Sequence, residues 1–210
     1  MNPKAFIWDM DGTLIDSEPT YLAALEAVLS SAGQPPVPDL HENIIGLTSE
    51  ATYTWLRDTH GLTLAFEDWS ALKFDLYARN ADELAPIPGA MELWTQVSAL
   101  GLPQAIASNA DRLFVDVNLR QLGLNRPGLV TVSRNDVRAG KPDPEMYLRA
   151  AWLLGVDPAD AIAIEDSPTG ARAALAAGIQ TFMIGANEND VPDGACHATT
   201  YRTIFEFLSS

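Results

Sequence analysis

Short apolar runs that end abruptly in polar residues recur along this chain, and they constrain its fold more than any other feature. Ala5 to Trp8 runs into Asp9-Met10-Asp11-Gly12-Thr13, Ala105 to Ala107 into Ser108-Asn109, and Ala161 to Ile164 into Glu165-Asp166-Ser167. Runs this short and this uniformly apolar read as strands buried on both faces. After the break at Pro86-Ile87-Pro88-Gly89 they alternate with helix-like segments. Strands are expected at 105–107, 129–132, 161–164 and 181–184, and helices at 113–122, 144–154 and 170–177. That alternation predicts an α/β chain with a Rossmann-like parallel sheet and helices on both faces. The strand that opens the chain must join the same sheet, because one short strand alone cannot bury its faces.

Residues 17–84 follow a different rhythm. Tyr21, Leu22, Leu25, Val28 and Leu29 recur at helical spacing, and Gly33 follows where a helix would stop. Pro35-Pro36-Val37-Pro38 is a loop that no helix interior tolerates. Residues 49–59 and 67–84 again carry helical periodicity, with Leu56, Trp69, Leu72, Leu76 and Tyr77 as core positions. The expectation is a small all-helical cap, residues 17–84, inserted after the first strand of a core made of residues 1–16 and 85–210.

Composition then removes whole classes of function. The formal charge is −15, and no basic stripe offsets it, so a nucleic-acid partner is excluded. No apolar run approaches the ~20 residues that span a bilayer, so no membrane partner is expected. The N-terminus lacks the apolar stretch of a signal peptide. A single cysteine, Cys196, rules out an internal disulfide or a cysteine-built zinc site. A cytoplasmic protein is expected; its oligomeric state is not readable. The acidity is uneven: residues 16–85 hold 12 acidic and 3 basic side chains against 16 and 10 elsewhere.

The polar clusters carry the chemistry. Asp9 and Asp11 lie two apart where a strand ends, so in extended backbone both side chains face one way. Neighbouring carboxylates push each other's proton affinities apart, which suits one to be a nucleophile and the other a proton donor. Gly12 permits a sharp turn, and Thr13 offers a hydroxyl and an amide to an anion. Read blandly, Asp-Gly is turn chemistry alone. Ser108-Asn109 lies at a strand's carboxyl end, where open α/β sheets bind ligands, although both residue types also cap helices. Lys141, between Gly140 and Pro142, is a constrained point charge; Asn135 and Pro142 exclude a Walker A loop. Glu165-Asp166-Ser167 supplies oxygens suited to a hard cation, with a helix cap as the plainer reading of Asp166 or Ser167.

In this order and with these residue types, Asp9-x-Asp11-Gly12-Thr13-Leu14, Ser108-Asn109, Lys141-Pro142 and Glu165-Asp166-Ser167 resemble the four motifs of the haloacid dehalogenase superfamily. The helical insertion is similar to the cap of its phosphoglycolate phosphatase and β-phosphoglucomutase branch. Further family-like stretches are Asp16-Ser17-Glu18, Pro88-Gly89, Gly170-Ala171 and Ala176-Ala177-Gly178. The resemblance implies a Mg²⁺-dependent phosphatase acting on a small phosphorylated metabolite. Asp9 would attack phosphorus, Asp11 would serve as acid and then base, and Ser108 and Lys141 would hold phosphoryl oxygens. Thr13 and Asn109 would contact the phosphate. Asp9, Asp166, the backbone carbonyl of Asp11 and, through water, Glu165 would hold Mg²⁺.

The resemblance also separates branches. Asp11 argues for phosphoryl transfer over carbon–halogen or carbon–phosphorus cleavage. β-Phosphoglucomutases carry an Arg just after the cap glycine, and Gly46-Leu47-Thr48-Ser49-Glu50 has none, which favours hydrolysis over mutase action. Within the cap, Lys73, Leu47 and Thr48 fall where related enzymes face substrate; the plain alternative for Lys73 is a solvated surface cation. Cys196 and His197 are not read as a dyad, nor His41 and His60 as metal ligands. Trp8, Trp55, Trp69, Trp94 and Trp152 are read mostly as core. Two alternatives stay open: a β-phosphoglucomutase-like mutase, and a non-catalytic phosphate-binding module of the same fold.

Overall fold

A computed structural model describes residues 3–45, 47–185 and 187–208. The chain divides into two compact units, one formed by Met1–Asp16 with Ala85–Ser210 and the other by Ser17–Leu84.

The first unit is built on β1 (Ala5–Trp8), β4 (Gln104–Ala107), β5 (Val130–Val132), β6 (Ala161–Glu165), β7 (Gln180–Ile184) and β8 (Cys196–Ala198), ordered β5-β4-β1-β6-β7-β8. Every neighbouring pair is parallel. A shorter antiparallel pair joins β2 (Ile15–Asp16) to β3 (Ala85–Pro86), where the chain leaves this unit and returns to it. Successive strands run outward from β1 on one side to β4 and β5 and on the other to β6, β7 and β8. The central strand is therefore a switch point, and the crevice at its carboxyl end is where such sheets bind ligands.

The two faces of the sheet are packed differently. Ala5, Ile7, Ala105, Ala107, Ala161 and Ala163 form one face, and Met146, Tyr147, Ala150, Ala173 and Ala174 meet them from α7 (Glu145–Leu154) and α8 (Pro168–Ala176). Small side chains on both partners let the helices lie close to the strands. On the other face Phe6 and Trp8 stack 6.1 Å apart, and Trp8 meets Trp94 of α5 (Ala90–Ala99) at 5.4 Å. The Trp8 indole donates to Gln104 at 3.0 Å, and the Gln104 amide donates to the Trp94 carbonyl and the Ser98 hydroxyl. That buried polar side chain is satisfied, as a desolvated amide must be. Trp152 departs from expectation: it is 76% exposed. Helix α7 buries Met146, Tyr147, Ala150 and Ala151, and position 152 falls on the opposite side of the helix.

The second unit packs α1 (Glu18–Ser31), α2 (Leu40–Ile44), α3 (Ser49–His60) and α4 (Phe66–Arg79) around Leu25, Val28, Leu29, Leu56 and Trp69. Pro35, Pro36 and Pro38 occupy the loop between α1 and α2, and Pro19 lies in the first turn of α1. Helix α4 ends at Arg79, earlier than the periodicity to residue 84 suggests, because a short 3-10 turn at Ala81–Glu83 takes over. Among the described residues, no helix is long and apolar enough to cross a membrane.

Candidate active site

The site collects where β1, β4 and β6 end. Strands β1 and β6 pair Trp8 with Ile164, so Asp9 and Glu165 follow side by side, one step past the apolar stretch. The Asp9 amide continues the ladder by donating to the Ile164 carbonyl at 2.9 Å. Beyond Asp9 the chain winds tightly: the amides of Thr13, Leu14 and Ile15 all donate to the Met10 carbonyl. Gly12 has a φ of +78°, and a Cβ there would overlap the Asp166 carboxylate. The turn reading of Asp-Gly and the functional one are thus the same feature. It brings the loop against the carboxylate that follows β6.

Lys141 closes this cluster. Its ammonium, 4% exposed as a side chain, donates to Asp9 and, at 2.5 Å, to Glu165. The Lys141-Pro142 peptide is cis. Asn109 holds the lysine loop, its side-chain carbonyl accepting from the Lys141 amide at 2.9 Å and its amide donating to the Lys141 carbonyl at 3.5 Å. Glu165 is fully buried and also accepts from the Tyr147 hydroxyl at 2.6 Å and the Ser167 hydroxyl at 3.2 Å. Gly170 leaves it room, since a Cβ there would overlap the Glu165 carboxyl group. Ser167 caps α8 by accepting from the Gly170 amide at 3.1 Å. The capping reading of Ser167 therefore holds alongside its contact with Glu165.

Asp11 stands among different partners. Ser108 donates to its Oδ2 at 3.1 Å, and Asn118 of α6 (Arg112–Gln121) to its Oδ1 at 3.0 Å. Asp166 accepts from the Thr13 hydroxyl at 3.3 Å. The Thr13 carbonyl accepts from the Tyr201 hydroxyl, which comes from α9 (Tyr201–Leu208).

One carboxylate oxygen from each of Asp9, Glu165 and Asp166 lies within 4.8 Å of the others. In this crowd of buried carboxylates, Asp9 and Asp166 both have raised proton affinity. Burial pushes the Asp9 carboxyl well above its ordinary range; Lys141 pulls it back, and Glu165, Asp166 and Asp11 push it further up. Burial and then Glu165 raise Asp166 to about 7, against Lys141 and the Thr13 hydroxyl. For Lys141, burial works against the charged form, but Asp9 and Glu165 outweigh it and hold the ammonium above its usual range. A hard cation with oxygen ligands would relieve the excess negative charge, and the donor chemistry fits one.

Asp9, Asp11, Thr13, Ser108, Asn109, Lys141, Glu165 and Asp166 thus come together in one unit. Lys73, Leu47 and Thr48 belong to the other. Lys73 is fully buried rather than a solvated cation. It donates to the Tyr21 hydroxyl at 3.0 Å and Ser49 at 2.9 Å, and its ammonium stands 4.1 Å from the centre of the Trp69 ring. Leu47 is exposed, and Thr48 caps α3 by accepting from the Ala51 amide at 3.2 Å. Gly46 lies outside the described residues. Sequence reasoning missed Tyr147, Asn118 and Tyr201. For Asn118 a signal existed: a lone amide on the buried face marked by Phe114, Val115 and Leu119.

The sequence profile of the haloacid dehalogenase-like hydrolases matches residues 3–178. A phosphorylated carbohydrates phosphatase from Thermotoga maritima is 33% identical over 84% of this chain and 82% of its own length. Hexitol phosphatase A from Escherichia coli is 30% identical over 89% of this chain and 85% of its own. A crystal structure from Thermotoga maritima, provisionally named a beta-phosphoglucomutase, superposes with a TM-score of 0.80 at 30% identity, covering 98% of each chain.

Proposed function

The chain belongs to the haloacid dehalogenase-like hydrolases, and on that premise we propose that it is a Mg²⁺-dependent phosphatase of small phosphomonoesters, working through an aspartyl-phosphate on Asp9. The observation that carries this reading is the placement of the Lys141 ammonium between Asp9 and Glu165, with Asp166 beside them. A carboxylate backed by a buried cation is a nucleophile that a phosphate dianion can approach.

An Asp9 carboxylate oxygen attacks phosphorus, and the bond from phosphorus to the ester oxygen breaks. Asp11 gives its proton to the departing alkoxide, then takes one from the water that attacks the same phosphorus and releases Asp9. Lys141 and Ser108 hold phosphoryl oxygens, the Ser108 hydroxyl turning to the phosphate from Asp11, to which it donates in the free protein, while the Thr13 amide stays with the Met10 carbonyl. Asn109 acts mainly through Lys141, whose backbone it holds. Asp9, Asp166 and the Asp11 carbonyl would hold Mg²⁺, and Glu165, already accepting from three donors, serves chiefly to fix Lys141. When bound, the ion supplies charge neutralisation of the phosphoryl group.

Residues 17–84 are proposed as the cap that sets specificity, through Leu47, Thr48 and Lys73. Their excess of acidic side chains disfavours polyanions, and the phosphorylated carbohydrates and hexitol named for two relatives support a sugar or polyol monophosphate. A mutase is the second reading, favoured by the name of one similar structure and opposed by the missing Arg in Leu47-Thr48-Ser49-Glu50. Incubation of the purified protein with Mg²⁺ and a panel of sugar and polyol phosphates separates the two. Stoichiometric inorganic phosphate supports hydrolysis; an isomeric sugar phosphate without phosphate release supports the mutase; neither product supports a binding module that keeps the fold without the chemistry.

A further inference from the structure

Asn118 lies outside every motif that marks this site in the sequence, yet its side chain reaches the proposed acid–base. It is fully buried on a helix whose other buried residues are Phe114, Val115, Val117 and Leu119. An amide desolvated among apolar side chains needs a partner, and the Asp11 Oδ1 atom supplies one at 3.0 Å. Ser108 donates to the other oxygen at 3.1 Å. The Asn118 side chain presents its nitrogen to Oδ1, as donor to acceptor. The two donors come from different places, Ser108 from the end of β4 and Asn118 from within α6. Together they fix the plane of the carboxylate as well as its position.

Helix α6 is itself pinned. Its first residue, Arg112, donates from its amide to the Asn135 side chain at 2.7 Å and from its guanidinium to Asp136 and, at 2.6 Å, to Thr131. A side chain on such a helix can hold an angle that a loop residue cannot.

We propose that Asn118 is a positioning residue that aims Asp11 at the leaving-group oxygen. The proposal rests on the reading of Asp11 as the acid–base. It has a signature that general damage to the site would not produce. Loss of aim impairs proton transfer to a poor leaving group and spares one that departs without a proton.

The test compares kcat/KM for glycerol phosphate, whose alkoxide must be protonated, with acetyl phosphate, whose acetate leaves unaided. Wild type, Asp11→Asn, Asn118→Leu and Asn118→Ala are measured with Mg²⁺, with thermal melting to confirm folding. Leucine keeps the branched shape of asparagine without its donor but is bulkier, and alanine covers the case in which leucine does not fit. Asp11→Asn is expected to lose kcat/KM on glycerol phosphate and keep most of it on acetyl phosphate, since kcat/KM reports transfer to Asp9, while kcat falls on both because the later hydrolysis lacks its base. The Asn118 variants should follow with a loss of about 10–100-fold on glycerol phosphate, part of the 10²–10⁴ that acid–base catalysis supplies, and less than about 3-fold on acetyl phosphate. Equal losses on both substrates, or none on either, in Asn118 variants while Asp11→Asn discriminates would overturn the inference alone. A wild type inert towards both substrates, or an Asp11→Asn variant that does not discriminate, would overturn the functional reading and the inference with it.

Discussion

Lys141 and Asp9 form an ion pair across 132 residues of chain, joining the loop after β5 to the end of β1. The same ammonium donates to Glu165 at 2.5 Å, so one buried cation faces two carboxylates that the register of β1 and β6 sets side by side. Removing it leaves both without their principal counter-charge. Replacing Lys141 with Met is expected to cost stability near pH 7 by about 3 kcal/mol, the scale for one partner lost from a buried pair. The deficit should shrink as pH falls, because Asp9, already raised by burial and now without Lys141 to lower it, takes up a proton. Urea unfolding of wild type and variant at pH 7.5 and pH 5.5 reads both effects; an equal deficit at the two values would contradict this account of the pair.

Protons and a cation should compete for the acidic cluster. Asp166 is raised to about 7 from an unfolded value near ~3.9, so the folded state binds the extra proton. By linkage, its contribution favours folding at low pH and is lost as pH rises from about 4 to 7 in the metal-free protein; Asp9, also raised, acts in the same sense. Mg²⁺ binds the deprotonated form, so its effect on the melting temperature should be larger at pH 8 than at pH 5.5. Melts in Mg²⁺ and in chelator at both values test this, and a Mg²⁺ increment independent of pH would count against the assigned ligands.

Tyr201 ties α9 to the loop after β1 by donating to the Thr13 carbonyl. Its ring covers Gly89, where φ is +87° and a Cβ would lie 3.2 Å from the ring. Tyr201→Phe leaves that buried carbonyl without its donor and should destabilise by roughly 1–3 kcal/mol. Because Thr13 also donates to Asp166, the variant should need more Mg²⁺ for half-maximal activity. An unchanged Mg²⁺ requirement would limit Tyr201 to a structural role.

Lys73 separates the two units' contributions. Its ammonium is held by Tyr21, Ser49 and the Trp69 ring, so Lys73→Met should destabilise the helical unit whatever its role with substrate. If it also contacts the leaving group, KM for sugar phosphates should rise while acetyl phosphate turnover is retained; loss of stability alone would confine it to packing.

The parts of this molecule that are legible in its sequence are those where local chemistry and tertiary role coincide. Strands β1, β4 and β6 are buried on both faces, so their apolar runs stand out, and the polar residues after them, read as candidate site residues, lie together in the structure. Strand β8 escapes because Cys196-His197-Ala198 lies at the sheet's edge and carries no apolar run. Strands β2 and β3 exist only by pairing with each other. Tyr147 and Tyr201 each sit in helical stretches as ordinary aromatic residues, and only the fold shows that their hydroxyls meet Glu165 and Thr13. Trp152 shows the converse: an apolar residue in a periodic stretch, placed by helix phase on the outside.

The central claim is that Asp9 carries the phosphoryl group. Asp9→Asn should fold normally and lose turnover by roughly 10⁴-fold or more, as expected for removal of a nucleophile. The more direct measurement is chemical trapping: enzyme mixed with substrate and Mg²⁺, quenched in acid, reduced with borohydride and sequenced by mass spectrometry. An aspartyl-phosphate is reduced to homoserine, so the account predicts homoserine at position 9 only in samples that saw substrate. Unmodified Asp9 during active turnover, with the phosphoryl group trapped on another side chain or on none, would contradict it.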